Sequence, residues 1–201
     1  MKKGIIGNGG FGREVFHSMS KEEQLKTVFF VEDEFYNENE FNTLPLSKFD
    51  KDEYEVVIAI GNSAVRKKIV DKLPVETKYF TYIHPSVQIY SNDVIIGKGS
   101  IICGGCILTT NIKIGKHSQL NLLSTIGHDT ILGDYFTAAP GTKVSGNCKI
   151  GNHVYMGTNS SVREKINICN NVTIGLNSGV IKDINEEGIY VGTPTKKNNF
   201  G

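Results

Sequence analysis

From residue 96 to residue 180 an aliphatic or small apolar side chain returns at every sixth position. The series runs Ile96, Ile102, Leu108, Ile114, Leu120, Ile126, Leu132, Ala138, Val144, Ile150, Met156, Val162, Ile168, Ile174, Val180. A helix repeats its buried face every ~3.6 residues and a strand every second one, so neither gives a beat of six. A coil of short strands joined by like corners does. Two residues before these positions sits a second small or apolar set, among it Val94, Cys106, Ile112, Thr130, Phe136, Cys148, Val154, Ile166 and Val172. Both sets then share the inward face of each short strand. Stacking the coils about 4.8 Å apart buries them as columns and pairs the backbone from coil to coil.

Glycine follows the aliphatic position at 97, 115, 127, 133, 151, 157 and 175. Gly97, Gly115, Gly133 and Gly151 are 18 residues apart, so one turn takes three hexapeptides and the cross-section is a triangle. Almost five such coils fit between 96 and 180. The expected reason for glycine at a corner is its tolerance of positive φ.

The first eighty residues follow a different rhythm. Lys3–Ile6 reads as a strand, Gly7-Asn8-Gly9-Gly10-Phe11-Gly12 as a G-x-G-x-x-G loop, and Arg13–Met19 as a helix. A second strand, Thr27–Val31, ends at Glu32-Asp33, about twenty residues past the loop. A third, Val56–Ile60, stops at Gly61-Asn62, and a helix over Ser63–Leu73 carries Arg66, Lys67 and Lys68. Tyr79–Ile83 is a last strand before His84-Pro85. This alternation implies a small parallel sheet whose ligand sits at the carboxyl ends of the strands. Glycines let a phosphate approach backbone N–H groups at a helix start, and the acid can accept from a ribose hydroxyl. The sheet is about half a full dinucleotide fold, which favours a mononucleotide over NAD. The acidic run through Glu32 and Asp33 reads equally as a solvated loop.

Composition narrows the function classes. With 22 basic and 21 acidic side chains, the net charge is +1. That excludes holding nucleic acid through bulk charge, because phosphate contacts need a basic excess. No apolar run reaches the ~20 residues of a membrane span, and the N-terminus lacks a signal-peptide cleavage pattern, so no membrane partner and a cytoplasmic location are expected. Glycine at 22 residues with only 5 prolines fits an ordered, tightly turning backbone. The four cysteines imply no disulfide: Cys106 and Cys148 fall on the inward column, Cys103 and Cys169 on the glycine position.

A small nucleotide-binding sheet followed by a hexapeptide coil resembles the bacterial nucleotide-sugar acetyltransferases of the PglD/NeuD/perosamine-acetyltransferase type. The residues that carry the resemblance are Gly7–Gly12, Ile60-Gly61-Asn62 with Arg66, Asn121 through Asp129, Ser145-Gly146-Asn147 and Val191-Gly192-Thr193-Pro194. The resemblance implies a Rossmann-like nucleotide-sugar-binding domain over 1–83 and a left-handed parallel β-helix acyltransferase domain with a C-terminal tail over 84–201. It implies acetyl-CoA as co-substrate, a nucleotide-linked amino sugar as acceptor, no metal, and a homotrimer. By the same resemblance His128 is the general base, Asp129 the acid that raises its basicity, Gly146 the amide facing the thioester oxygen, and Asn121 a polar wall residue. Thr158 and Leu176 border the pantetheine arm. Thr137 stands where relatives place a histidine that touches CoA, and Gly127 where many carry an acid. Gly7, Asn8, Gly9, Gly10, Glu32, Asp33, Gly61 and Asn62 match the nucleotide-sugar pocket.

The chemistry asked of such a site is attack of an amine on a thioester. A histidine suits the proton transfer, a corner N–H suits the oxyanion, and no covalent intermediate is required. The expected reaction is direct N-acetylation of a 4-amino-4,6-dideoxyhexose carried by UDP, dTDP or GDP, feeding surface glycan assembly. A sugar O-acetyltransferase on the same fold is the alternative, followed by a non-catalytic trimeric nucleotide-binding scaffold. His117 and His153 lie 36 residues apart at one coil phase and, with His128, suggest a metal hydratase as a further reading. Lys196-Lys197 either leans on the 3′-phosphate of CoA or is a solvated tail, and Gly188–Lys197 reads as a loop.

Overall fold

Residues 1–198 are described, from a computed structural model of the chain. They form two units, 1–82 and 83–201, the last three residues of the expected tail lying outside the described ones.

The N-terminal unit is a five-stranded parallel sheet in the order β3-β2-β1-β4-β5. Its elements in chain order are β1 (Lys2–Ile6), α1 (Gly10–Ser18), α2 (Lys21–Leu25), β2 (Thr27–Val31), β3 (Thr43–Pro45), β4 (Tyr54–Ile58), α3 (Ser63–Lys72) and β5 (Lys78–Tyr79). The core joins Ile6, Phe30, Val56 and Ile58 of the strands to Ile69 of α3. Glycine is obligatory at position 12, where a β-carbon would meet the Gly7 carbonyl oxygen at 2.0 Å. That close approach seats α1 against the loop it grows from. α2 was not expected. It is five residues held by a capping box, with Ser20 Oγ accepting from the Glu23 N–H and the Glu23 carboxylate accepting from the Ser20 N–H.

Three expected boundaries shift. α1 begins three residues early, at Gly10, and ends at Ser18 rather than Met19. β4 is Tyr54–Ile58 rather than 56–60, because Lys2 pairs with Tyr54 and the ladder with β1 ends at Ile58. The strand expected over 79–83 breaks into Lys78–Tyr79 and Tyr82–Ile83. Edge strand β3 escaped notice because it is short and ends in proline, a residue tolerated at sheet edges.

The second unit is a left-handed parallel β-helix of triangular section. Each two-residue strand pairs with the one 18 residues on: Ile107 with Thr125, Thr125 with Lys143, Lys143 with Ser161, Ser161 with Gly179. The coil starts upstream of the aliphatic series, since Gln88–Ile89 already pairs with Ile107–Leu108. The aliphatic column is buried from Ile102 to Val180. The second column is as expected and also holds Ser100, Ser118, Ser124, Thr142, Ser160 and Ser178, none more than 1% exposed. Several of these hydroxyls donate back to corner carbonyls, as Ser124 Oγ does to Asn121 O at 2.7 Å and Thr142 Oγ1 to Ala139 O at 2.7 Å, so no polar atom is stranded at those points.

The expected role of the corner glycines is corrected. The left-handed residue is not the glycine after the aliphatic position but the residue two further on, and φ is positive at every sixth residue from Gly99 to Asn177. Glycine or asparagine fills eight of these positions, as such backbone favours. Gly115, Gly133 and their equivalents are needed because coils stack too closely for a side chain. A β-carbon on Gly115 would stand 2.4 Å from the Gly133 carbonyl carbon, and one on Gly97 2.5 Å from Gly115.

The segment read as a loop at 188–197 is a second correction. Gly188–Val191 continues the ladder on Val172–Ile174 and pairs antiparallel with Lys196–Asn198. No helix among the described residues is long and apolar enough to cross a membrane.

Candidate active site

His128 sits on the corner that follows strand Thr125–Ile126, and Gly146 holds the same corner one coil on. A β-carbon on Gly146 would stand 2.7 Å from His128 Nε2 and 2.8 Å from Cε1, so the imidazole rests against this glycine. The Asn147 N–H donates to His128 O at 2.7 Å and fixes the corner backbone. His128 Nδ1 lies 2.7 Å from Asp129 Oδ2. The other carboxylate oxygen, Oδ1, accepts from Asn111 Nδ2 at 2.7 Å. Asp129 and Asn111 are both left-handed residues 18 apart, which turns their side chains to the same edge.

The hydrogen bonds from His128 and then Asn111 hold the Asp129 carboxyl below its ordinary pKa. An ionised carboxylate only accepts, so Nδ1 carries the imidazole proton and Nε2 keeps its lone pair. The His128 and Asp129 side chains are 58% and 45% exposed, open to an incoming substrate. On the next edge round the coil, the second corner N–H is capped from the following coil. Lys116 N donates to Asp134 Oδ1, Asp134 N to Asn152 Oδ1 and Asn152 N to Asn170 Oδ1, at 2.7–2.8 Å. The equivalent N–H of Gly146 has no acceptor among the described residues. A basic nitrogen and a free backbone donor therefore share one corner, the two groups an acyl transfer needs.

The other expected residues lie elsewhere. Asn121, Thr158 and Leu176 occupy a different edge of the prism, after strands Gln119–Leu120, Tyr155–Met156 and Val172–Ile174. Asn121 closes its own corner, with Nδ2 donating to Ala138 O at 2.9 Å and its carbonyl accepting from Ser124. Leu176 is 70% exposed, whereas Thr137, on the strand between, is 2% exposed. Within one chain these residues are not brought to His128. Asn111 was missed, although it stands 18 residues before Asp129 in the same corner phase.

In the N-terminal unit a cleft of about 220 Å³ opens at the carboxyl ends of β1, β2 and β4. Gly7, Asn8, Gly9 and Glu32 line it, together with Phe35, Ile60 and Val65. Gly7 takes φ of +102°, and Glu32 pairs with Lys72. Gly10, Asp33, Gly61 and Asn62 do not line the cleft. Asp33 Oδ1 accepts from the Ser47 N–H at 3.0 Å, a bond that lowers its pKa. Asn62 Oδ1 caps α3 by accepting from Ala64 N and Val65 N. The Arg66 guanidinium, fully buried, donates to Ile60 O at 2.7 Å and Gly61 O at 3.1 Å.

The metal reading meets an obstacle. The Tyr135 ring stacks between His117 and His153, with centroids 5.3 and 4.8 Å away, so the two histidines flank a phenol rather than a shared ion. Among the described residues no three His, Cys, Asp or Glu side chains gather to hold a metal. The cysteines form no disulfide, and burial pushes the Cys106 thiol up to about 11, leaving it unreactive.

A family profile described as the PglD N-terminal domain matches residues 4–73. The GDP-perosamine N-acetyltransferase of Escherichia coli O157:H7 is 28% identical over 174 residues, 81% of this chain and 78% of that protein. The solved structure of WeeI from Acinetobacter baumannii AYE is 32% identical, with a TM-score of 0.86 over 98% of this chain and 100% of its own. The acetyltransferase domain of PglB from Neisseria gonorrhoeae FA1090, solved with acetyl coenzyme A, superposes with a TM-score of 0.89 over 98% of each chain. At 24% identity that last likeness speaks for the fold.

Proposed function

Because the chain belongs to the PglD/perosamine N-acetyltransferase family of acyltransferases, we propose that it moves an acetyl group from acetyl-CoA to the 4-amino group of a nucleotide-linked 4-amino-4,6-dideoxyhexose. The observation that carries this reading is the pairing of His128 Nε2 with the free Gly146 N–H on one corner. The sugar amine attacks the thioester carbonyl carbon and passes its proton to His128 Nε2. Asp129, held ionised by its hydrogen bonds, stabilises the imidazolium that forms. The carbonyl oxygen becomes an oxyanion facing the Gly146 N–H. Collapse re-forms the carbonyl, breaks the carbon–sulfur bond and releases CoA, whose sulfur takes up the proton. No group on the protein is acetylated on the way.

The acceptor's nucleotide end belongs in the cleft lined by Gly7, Asn8, Gly9 and Glu32. Asp33 and Asn62 shape that cleft through the backbone they cap rather than by touching the ligand. Thr158 and Leu176 would border the pantetheine arm, on a different edge from His128. Assembly of copies would let the edge of one meet the edge of another, and a homotrimer is the closed arrangement that repeats such a contact for a triangular coil. A supply of acetyl-CoA and nucleotide sugars places the reaction in the cytoplasm.

The test is thiol release from acetyl-CoA against UDP-, dTDP- and GDP-linked 4-amino-4,6-dideoxyhexoses, with His128→Ala beside the wild type. Release with one carrier, lost in the variant, supports both reaction and base. Silence with every amino sugar, from folded protein that binds acetyl-CoA, overturns N-acetylation and moves the reading to a hydroxyl acceptor.

A further inference from the structure

Phe35 closes the 3₁₀ turn Asp33–Phe35 and stays 67% exposed while its ring lines the mouth of the cleft. The turn is firmly held. Asp33 Oδ1 accepts from Ser47 N at 3.0 Å, and the Phe35 N–H donates to Glu32 O at 2.8 Å. A large apolar ring kept in water on a fixed mount forgoes the stabilisation that burial would give. Such a ring is an open stacking face. Beneath it the cleft is walled by Ile60 and Val65 and floored by the Gly7 and Gly9 backbone, with Glu32 at the rim. This is an apolar slot with a carboxylate acceptor at one edge.

The volume, about 220 Å³, falls below the ~300–1,000 Å³ of sites that enclose a whole drug-sized ligand. The cleft therefore takes one end of a longer molecule. A planar heterocycle with two apolar faces and an N–H edge fits the slot, the ring and the carboxylate together. We propose that Phe35 is the base-stacking residue of this protein, covering the nucleobase of the sugar nucleotide while Glu32 accepts from its N–H edge. The inference rests on the nucleotide-sugar reading above and adds the residue that discriminates nucleotide from sugar phosphate. Asp33 then serves as the support that aims Phe35, which accounts for its carboxylate facing Ser47 instead of the cleft.

The experiment measures binding of GDP, UDP and dTDP by calorimetry to wild type, Phe35→Ala and Phe35→Tyr, with KM and kcat for the accepted nucleotide sugar measured in parallel. Loss of one stacking ring is expected to weaken the best diphosphate about tenfold, within the range for base–aromatic stacking. Phe35→Tyr should keep wild-type affinity. KM for the nucleotide sugar should rise in Phe35→Ala with kcat and the acetyl-CoA KM unchanged. Because the ring is exposed, circular dichroism should show both variants folded. Unchanged binding in Phe35→Ala overturns the proposal, as does equal loss in Phe35→Tyr or failure of all three diphosphates to bind wild type. If acetyl transfer persists with an unmoved KM, stacking fails and the reaction stands. If diphosphates bind through Phe35 but no CoA is released, stacking stands and the reaction fails.

Discussion

The imidazole of His128 fills the space that a side chain at position 146 would take: a β-carbon there would stand 2.7 Å from Nε2. Position 146 is not left-handed, so alanine fits its backbone and the clash falls on the ring alone. Gly146→Ala is expected to swing His128 off its corner and lower kcat about 10²-fold, the lower end of what general-base catalysis contributes. Thermal melting should change little. A kcat within twofold of wild type would show that the ring's seat on Gly146 has no catalytic consequence.

Asp129 fixes which nitrogen of His128 bears the proton. Asp129→Asn can donate to Nδ1 and favours the opposite tautomer, with Nε2 protonated and unable to act as base. We expect a fall in kcat of about 10²–10⁴-fold, with the KM for acetyl-CoA unmoved. Steady-state kinetics over both substrates checks it, and equal losses in kcat and acetyl-CoA affinity would point to a collapsed corner instead.

The second support, Asn111, gives a pH effect whose sign follows from the depressed Asp129 pKa. A carboxyl lowered in the folded state stabilises the fold above its unfolded pKa, and that contribution disappears as pH falls through the folded pKa. The window is thus acidic, at and below the ordinary aspartate value of about 3.9. Asn111→Ala removes one of the two bonds that depress it, so the folded pKa should rise toward the ordinary value. A carboxyl-carbon NMR titration of Asp129 reads this directly. No upward movement on losing Asn111 would mean that His128 alone sets the value.

Much of this architecture is legible because a column buried at every coil must be apolar at every sixth residue, and Ile96 through Val180 obey that without a slip. The reason for the glycines was misread because both kinds of corner position favour glycine. One must admit positive φ, as at Gly99, and the other must admit the next coil's backbone, as at Gly115. Only stacked coordinates separate them. His128, Asp129 and Gly146 could be grouped because 18-residue spacing is itself a geometric statement. In the N-terminal unit no spacing says where a polar atom turns. Asp33 and Asn62 have the composition of ligand-binding residues and spend their oxygens on the backbone N–H groups of Ser47, Ala64 and Val65. Phe35 looked like loop filler for the converse reason: nothing in the sequence reveals an aromatic ring left exposed.

The two corner positions make opposite predictions for stability. Gly115→Ala adds a β-carbon 2.4 Å from the Gly133 carbonyl carbon and 2.5 Å from Asp134 N, atoms of a ladder bonded above and below. The backbone has to move, and overpacking of this kind costs about 1–3 kcal/mol. Lys165 instead holds a left-handed backbone at φ 62° with an exposed side chain. An L-residue there costs about 1–2 kcal/mol, which asparagine partly and glycine fully relieves. Lys165→Asn should therefore raise the melting temperature while Gly115→Ala lowers it, although the first alters a charged surface residue and the second adds one methyl group. Calorimetric melts of both variants decide the matter. A lowered melting temperature for Lys165→Asn would mean that this corner carries no left-handed strain, and an unchanged one for Gly115→Ala that the coils can part by half an ångström at little cost.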